Sequence, residues 1–153
     1  MTGTVLQNPN DIQIGGSHYS SGGKFQHWDF VIGYLHNRYL EGQISKYLYR
    51  YRDKNGKQDI LKALHYCSKL ISSYRSGLVF PMSSARTFKD PPIAQIGEKF
   101  SHLSPNVISI FEMLSMWGCS ADLGVLLGRI ESELATYTSE EPGVNYVDQD
   151  SQS

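Results

Sequence analysis

The sequence is short of most features that announce a function. No apolar run is long enough to cross a bilayer, so a membrane-spanning role is not expected. No N-terminal stretch has the basic-then-apolar form of a signal peptide. Its two cysteines, Cys67 and Cys119, form no CxxC pair and no disulfide framework. Each sits in an apolar helical pattern, where a thiol acts as a small hydrophobe, and a reducing cytosol is the expected compartment. There is no GxxxxGK[ST] loop, no GxGxxG, no HExxH and no Gly-x-Ser-x-Gly elbow, which removes P-loop kinases, dinucleotide folds, zincins and α/β-hydrolases. His18, His27, His36, His65 and His102 are scattered, with no second His or Cys at ligand spacing. No helix repeats Glu and Asp as a di-magnesium site would need, so no metal ligands are assigned.

What is present begins with an uneven charge. The chain of 153 residues has a net charge of −1. Yet residues 38–75 carry nine basic and three acidic side chains, and residues 98–153 carry nine acidic and two basic ones. A cationic half suits an anionic ligand, or the two halves neutralise each other within the fold or between subunits. The total demands neither a membrane nor a specific nucleic acid.

The pattern predicts an all-α protein, a small bundle of about five helices. Residues 1–26 are rich in Gly, Ser, Asn and Gln and read as an arm. Helices are expected over 27–36, with Trp28, Val31, Ile32 and Leu35 on the apolar side, over 39–52, and over 57–75. Asp53-Lys54-Asn55-Gly56 is a turn, and Gly77 caps the third helix. Residues 78–104, punctuated by Pro81, Pro91, Pro92 and Gly97, read as a linker with a short helix near 93–100. Pro105 opens a fourth helix and Ser120 caps a fifth, whose stripe is Leu123, Leu127, Ile130 and Leu134. The domain plan is therefore 1–77, a linker at 78–104, a helical hairpin at 105–137 packing on the same core, and a disordered acidic tail at 138–153.

One constellation carries chemistry. Lys46 and Arg50 share a face of the second helix. Arg52, Lys54 and Lys57 cluster at the turn that follows. Asp59, Lys62 and Tyr66 succeed one another by about a turn on the third helix. Arg as a planar fork and Lys as a point charge are phosphate donors, and Tyr47, Tyr49, Tyr51 or Tyr66 offer faces to a base. The alternative is a solvated basic helix pair with core tyrosines. His18, beside glycines, could reach a phosphate or simply be exposed.

Ser17-His18-Tyr19, an apolar helix through Trp28-Asp29, Ile44-Ser45-Lys46-Tyr47-Leu48-Tyr49-Arg50, Lys54-Asn55-Gly56 and Asp59-Ile60-Leu61-Lys62-Ala63-Leu64-His65-Tyr66 stand in one order and spacing. Together they resemble a phage nucleotide-kinase-like family, the SaV-like domain, over residues 17–71. Gly16 and Gly42-Gln43 depart from it, where that family usually has Pro and Gly-Asn. The resemblance implies a deoxynucleoside monophosphate kinase without a P-loop, using a nucleoside triphosphate as donor and not requiring magnesium. It implies His18, Lys46, Arg50 and Asp59 as catalytic residues. Tyr19, Tyr47, Lys62 and Tyr66 would then be substrate-binding, and Arg52, Lys54 and Lys57 join them from the basic cluster at the turn. It also implies action in the host cytoplasm, and the short hairpins with complementary charge suggest a homo-oligomer. A nucleotide-binding protein without turnover and a structural adaptor working through the last two helices are the other readings.

Overall fold

The computed structural model describes Pro9–Asp11 and residues 25–140, the side chains of Asp11 and of 138–140 excepted. Ser17, His18 and Tyr19, most of the Gly-rich arm and the tail beyond 140 lie outside the described residues. Within them the protein is all-α, with six α-helices: α1 His27–Tyr34, α2 Tyr39–Arg50, α3 Lys57–Arg75, α4 Ile96–Lys99, α5 Pro105–Met116 and α6 Ser120–Glu140. No described helix is long and apolar enough to cross a membrane.

Local chemistry sets the boundaries. At α1, the backbone N–H of Gln26 donates to Asp29 Oδ2 at 2.9 Å, holding the first turn. His36 and Asn37 then take left-handed φ values of 51° and 57° and turn the chain into α2. Gly77, at φ 75°, closes α3 by a Schellman pair, Leu78 N–H to Ser73 O at 2.9 Å and Gly77 N–H to Tyr74 O at 3.0 Å. Ser104 Oγ accepts from Val107 N–H at 3.2 Å in front of Pro105. Gly118 N–H donates to Asp122 Oδ2 at 2.7 Å where α6 begins.

Helices α2 and α3 form an antiparallel hairpin, and α5 and α6 pack on it. Phe30, Ile44, Ile60, Leu70, Phe111, Leu114 and Ile130 are fully buried between them. Met82, Ile96 and Phe100, from the segment between α3 and α5, are also fully buried. Phe100 lies edge-on to Phe111, with centroids 5.4 Å apart.

The apolar side of α1 differs from the sequence expectation. Phe30, Tyr34 and Leu35 are buried, while Trp28 is 45% and Ile32 67% exposed. The segment HWDFVIGY is apolar on most of its circumference, so periodicity alone could not choose its inner face.

Two core polar groups fix relative positions. Trp117 Nε1 donates to Glu41 Oε2 at 3.0 Å, and Arg38 Nη2 pairs with the same oxygen at 2.8 Å. Glu133 of α6, also buried, accepts from Tyr51 and from Asn106 Nδ2, the latter at 3.0 Å. Burial, and after it the tie to Glu133, push the Tyr51 phenol well above its usual range.

Gly56 is the tightest point of the hairpin. Its φ is +57°, and a Cβ there would meet the Tyr137 hydroxyl at 2.7 Å. Gly56→Ala is therefore expected to cost about 2 kcal/mol, from left-handed backbone and displacement of Tyr137. A thermal midpoint lowered by about 4–8 °C is the readout, and an unchanged midpoint would refute the account.

Candidate anion-binding face on the α2–α3 hairpin

The outer seam of the hairpin is built from two helical rows. Tyr39, Gln43, Lys46, Tyr47 and Arg50 follow one another along α2, and Asp59, Lys62 and Tyr66 along α3. Because the helices run antiparallel, the rows meet in order. At the turn end Arg50 forks onto Asp59, Nε to Oδ2 at 3.2 Å and Nη2 to Oδ1 at 3.4 Å. Asp59 is fully buried, and Asn55 Nδ2 donates to its Oδ1 at 3.4 Å.

One step along, three cations surround a single ring. The Tyr47 centroid lies 5.3 Å from Lys46 Nζ, 4.8 Å from the Arg50 guanidinium carbon and 5.4 Å from Lys62 Nζ. Each is a cation–π contact, and the ring's negative face offsets part of their repulsion. Further along, Tyr66 stacks on Tyr47 with centroids 5.8 Å apart and planes at 15°. Gln43 Nε2 donates to the Tyr66 and Tyr39 hydroxyls, both at 3.3 Å.

The electrostatics follow from this crowding. Partial burial holds the Lys46 ammonium below the usual lysine range. The charges of Arg50, Lys54 and Lys62 push the same way, and Asp59 opposes them. An anion on this face would relieve that repulsion.

The face thus unites Lys46, Tyr47, Arg50, Asp59, Lys62 and Tyr66, with exposed Lys54 within electrostatic reach of Lys46. Lys57 opens α3 with its side chain half-buried. Arg52 turns away: its guanidinium lies 5.1 Å from the Tyr51 ring and 3.9 Å from Glu133 Oε2, towards α6. His18 and Tyr19 fall outside the described residues. Among those described, no group of three His, Cys, Asp or Glu side chains converges as a metal site.

Three residues of this neighbourhood were missed in the sequence. Tyr39 and Gln43 continue the α2 row at helical spacing, a signal that was present but overshadowed by the charges. His27 had none. It is buried on α1, with Nε2 2.7 Å from Ser45 Oγ, while Ser45 donates to Gly42 O at 2.9 Å. Burial, and secondarily the Lys46 charge, lower its imidazole to about 3.

Comparison with protein-family models, with curated proteins and with solved structures gives no match.

Proposed function

We propose that the chain is a nucleotide phosphotransferase of phage type that takes deoxynucleoside monophosphates on the α2–α3 face. The observation that carries the reading is the convergence of Lys46, Arg50 and Lys62 on the Tyr47 ring, with Asp59 as the carboxylate among them. The order of motifs shared with the nucleotide-kinase-like family supports the same reading.

In the reaction proposed, an acceptor phosphate oxygen attacks the terminal phosphorus of a nucleoside triphosphate. The bond to the β-phosphate's bridging oxygen breaks, and two diphosphates leave. Lys46 and Lys62 act as point charges on the oxygens that gather negative charge in the transition state. Arg50 contributes positive potential, its fork being engaged by Asp59. That engagement also favours a second reading, nucleotide binding without turnover, in which the lysines alone hold phosphate.

The test is incubation of the full chain with deoxynucleoside mono- and triphosphates, in EDTA and separately in magnesium, followed by chromatography. New diphosphates are expected, falling about 100-fold in Lys46→Ala and in Lys62→Ala. An unchanged pool with bound nucleotide would select the binding reading. An unchanged pool with no bound nucleotide would overturn both.

A further inference from the structure

The basic face does not end at Lys46. A groove of about 450 Å³ runs from Lys46 and Gln43 between α1 and α2, past His27 and Trp28, to Arg38 and Tyr39. Its size lies in the range of small-molecule pockets, roughly 300–1,000 Å³. The two helices approach closely here, because a Cβ on Gly42 would sit only 3.3 Å from Val31 Cγ1. Between them the groove is open to solvent and not enclosed. The walls are apolar and aromatic: Trp28 is 45% exposed, Ile32 67% and Tyr39 67%. Trp28 is held at its indole edge, where Nε1 donates to Asn10 Oδ1 at 2.6 Å, and the part of its ring left exposed stands with Ile32 and Tyr39 as an apolar surface of the kind that ligands cover.

The shape and chemistry select the occupant. Trp28 and Tyr39, both lining the groove and partly exposed, suit a planar ring, since stacking on aromatic faces is tolerant of ring identity. Gln43 and Asn37 also line the groove, side chains of the type that pair with the edge of a heteroaromatic ring. A charge is placed for one end only. Lys46 closes the groove where it joins the cation cluster, whereas Arg38 at the far end is neutralised by Glu41. The complementary ligand is an aromatic ring with an anionic group at one end. Gln43 joins the two regions, lining the groove while bonded to Tyr66 on the basic face.

We infer that the α1–α2 groove is the base-binding half of the nucleotide site, with the phosphates across Lys46 on the Tyr47 face. This rests on the nucleotide reading above and adds to it the residues that hold the base: Trp28, Ile32, Tyr39 and Gln43.

The experiment is calorimetric titration of the full chain with three probes: a deoxynucleoside monophosphate, 2-deoxyribose 5-phosphate and inorganic tripolyphosphate. The wild type is expected to bind the monophosphate at least about ten-fold more tightly than the base-free sugar phosphate, the size of one base–aromatic stack. Trp28→Ala and Ile32→Ala should remove that preference and leave tripolyphosphate affinity within about two-fold, showing that the variants are folded. Lys46→Ala should weaken all three probes. If the wild type binds none of them, the nucleotide reading falls and the groove assignment with it. If it binds all three but both groove variants keep the preference, the assignment falls and the nucleotide reading stands. If the variants instead change the native mass of the protein and not its nucleotide affinity, the groove belongs to a second copy and the assignment falls.

Discussion

Asp59→Ala is expected to lower the stability of the protein by about 3–5 kcal/mol, the cost of leaving one partner of a buried ion pair behind. Asp59 is fully buried and the Arg50 side chain is 10% exposed. The guanidinium reaches the carboxylate through two hydrogen bonds, so the truncation strands a desolvated cation rather than a surface one. A smaller part comes from α3, because Asp59 is the acidic residue of its first turn and is stabilised by the positive end of the helix dipole. Set against the roughly 5–15 kcal/mol that holds a domain together, the loss is large, and a thermal midpoint lower by about 10 °C is the readout.

The double variant Arg50→Met/Asp59→Leu separates the two possible origins of that loss. If the penalty is the stranded charge, replacing both partners by apolar groups should recover at least about 2 kcal/mol of it. A single variant that loses less than about 1 kcal/mol, or a double variant no more stable than the single, would show that a stranded charge is not the origin of the loss. The pair also bears on ligand binding. Arg50 Nε and Nη2 are engaged by Asp59, so on the proposed reading the lysines around Tyr47 would carry the direct contacts to a phosphate on this face.

Helix positions were legible where the chain has strong punctuation. Asn55-Gly56 before Lys57, Gly77 after Arg75, Pro105 after Ser104 and Ser120 at the start of the last helix each mark an end that the structure also shows. The inner faces were less legible. Of the α6 stripe that the spacing selects, Leu123 and Ile130 are buried but Leu127 and Leu134 are partly exposed, and Leu126 and Glu133 are buried in addition. Adjacent leucines at 126 and 127 satisfy the helical period equally well. A glutamate could be placed inside only by knowing that Tyr51, 82 positions away, would donate to it.

The same limit applies to the candidate site. Charge spacing brought out Lys46, Arg50 and Lys62, because a helix puts residues four apart on one face. It could not show that Arg50 and Asp59 engage each other, nor that Arg52, two residues on, faces α6 instead. It also could not distinguish Trp28 and Ile32 from core residues. Their exposure depends on how α1 is rolled against α2, which the packing of Phe30 against Phe111 and of Gly42 against Val31 decides.

His27 makes the stability of the fold sensitive to mild acid. In the folded chain its imidazole titrates at about 3, and once unfolded it returns to its ordinary value near 6.5. Below pH 6.5 the unfolded chain therefore takes up a proton that the folded chain refuses. Stability from this group is fully present above pH 6.5 and declines by about 1.4 kcal/mol per pH unit until pH approaches 3. Between pH 7 and pH 4.5 the loss amounts to about 2.5 kcal/mol. The physical cause is burial first, with the Lys46 ammonium opposing a second positive charge beside it. His27→Gln retains an N–H donor for Ser45 Oγ and cannot take the proton. Its urea midpoint should shift by about 1 M less than that of the wild type over the same pH range, the carboxylates common to both chains cancelling in the comparison. Parallel profiles for the two proteins would mean that His27 is protonated in the folded state. Lys46 would then share its corner of the groove with a second cation, and a phosphate on the α2–α3 face would be held more tightly at pH 5 than at pH 7.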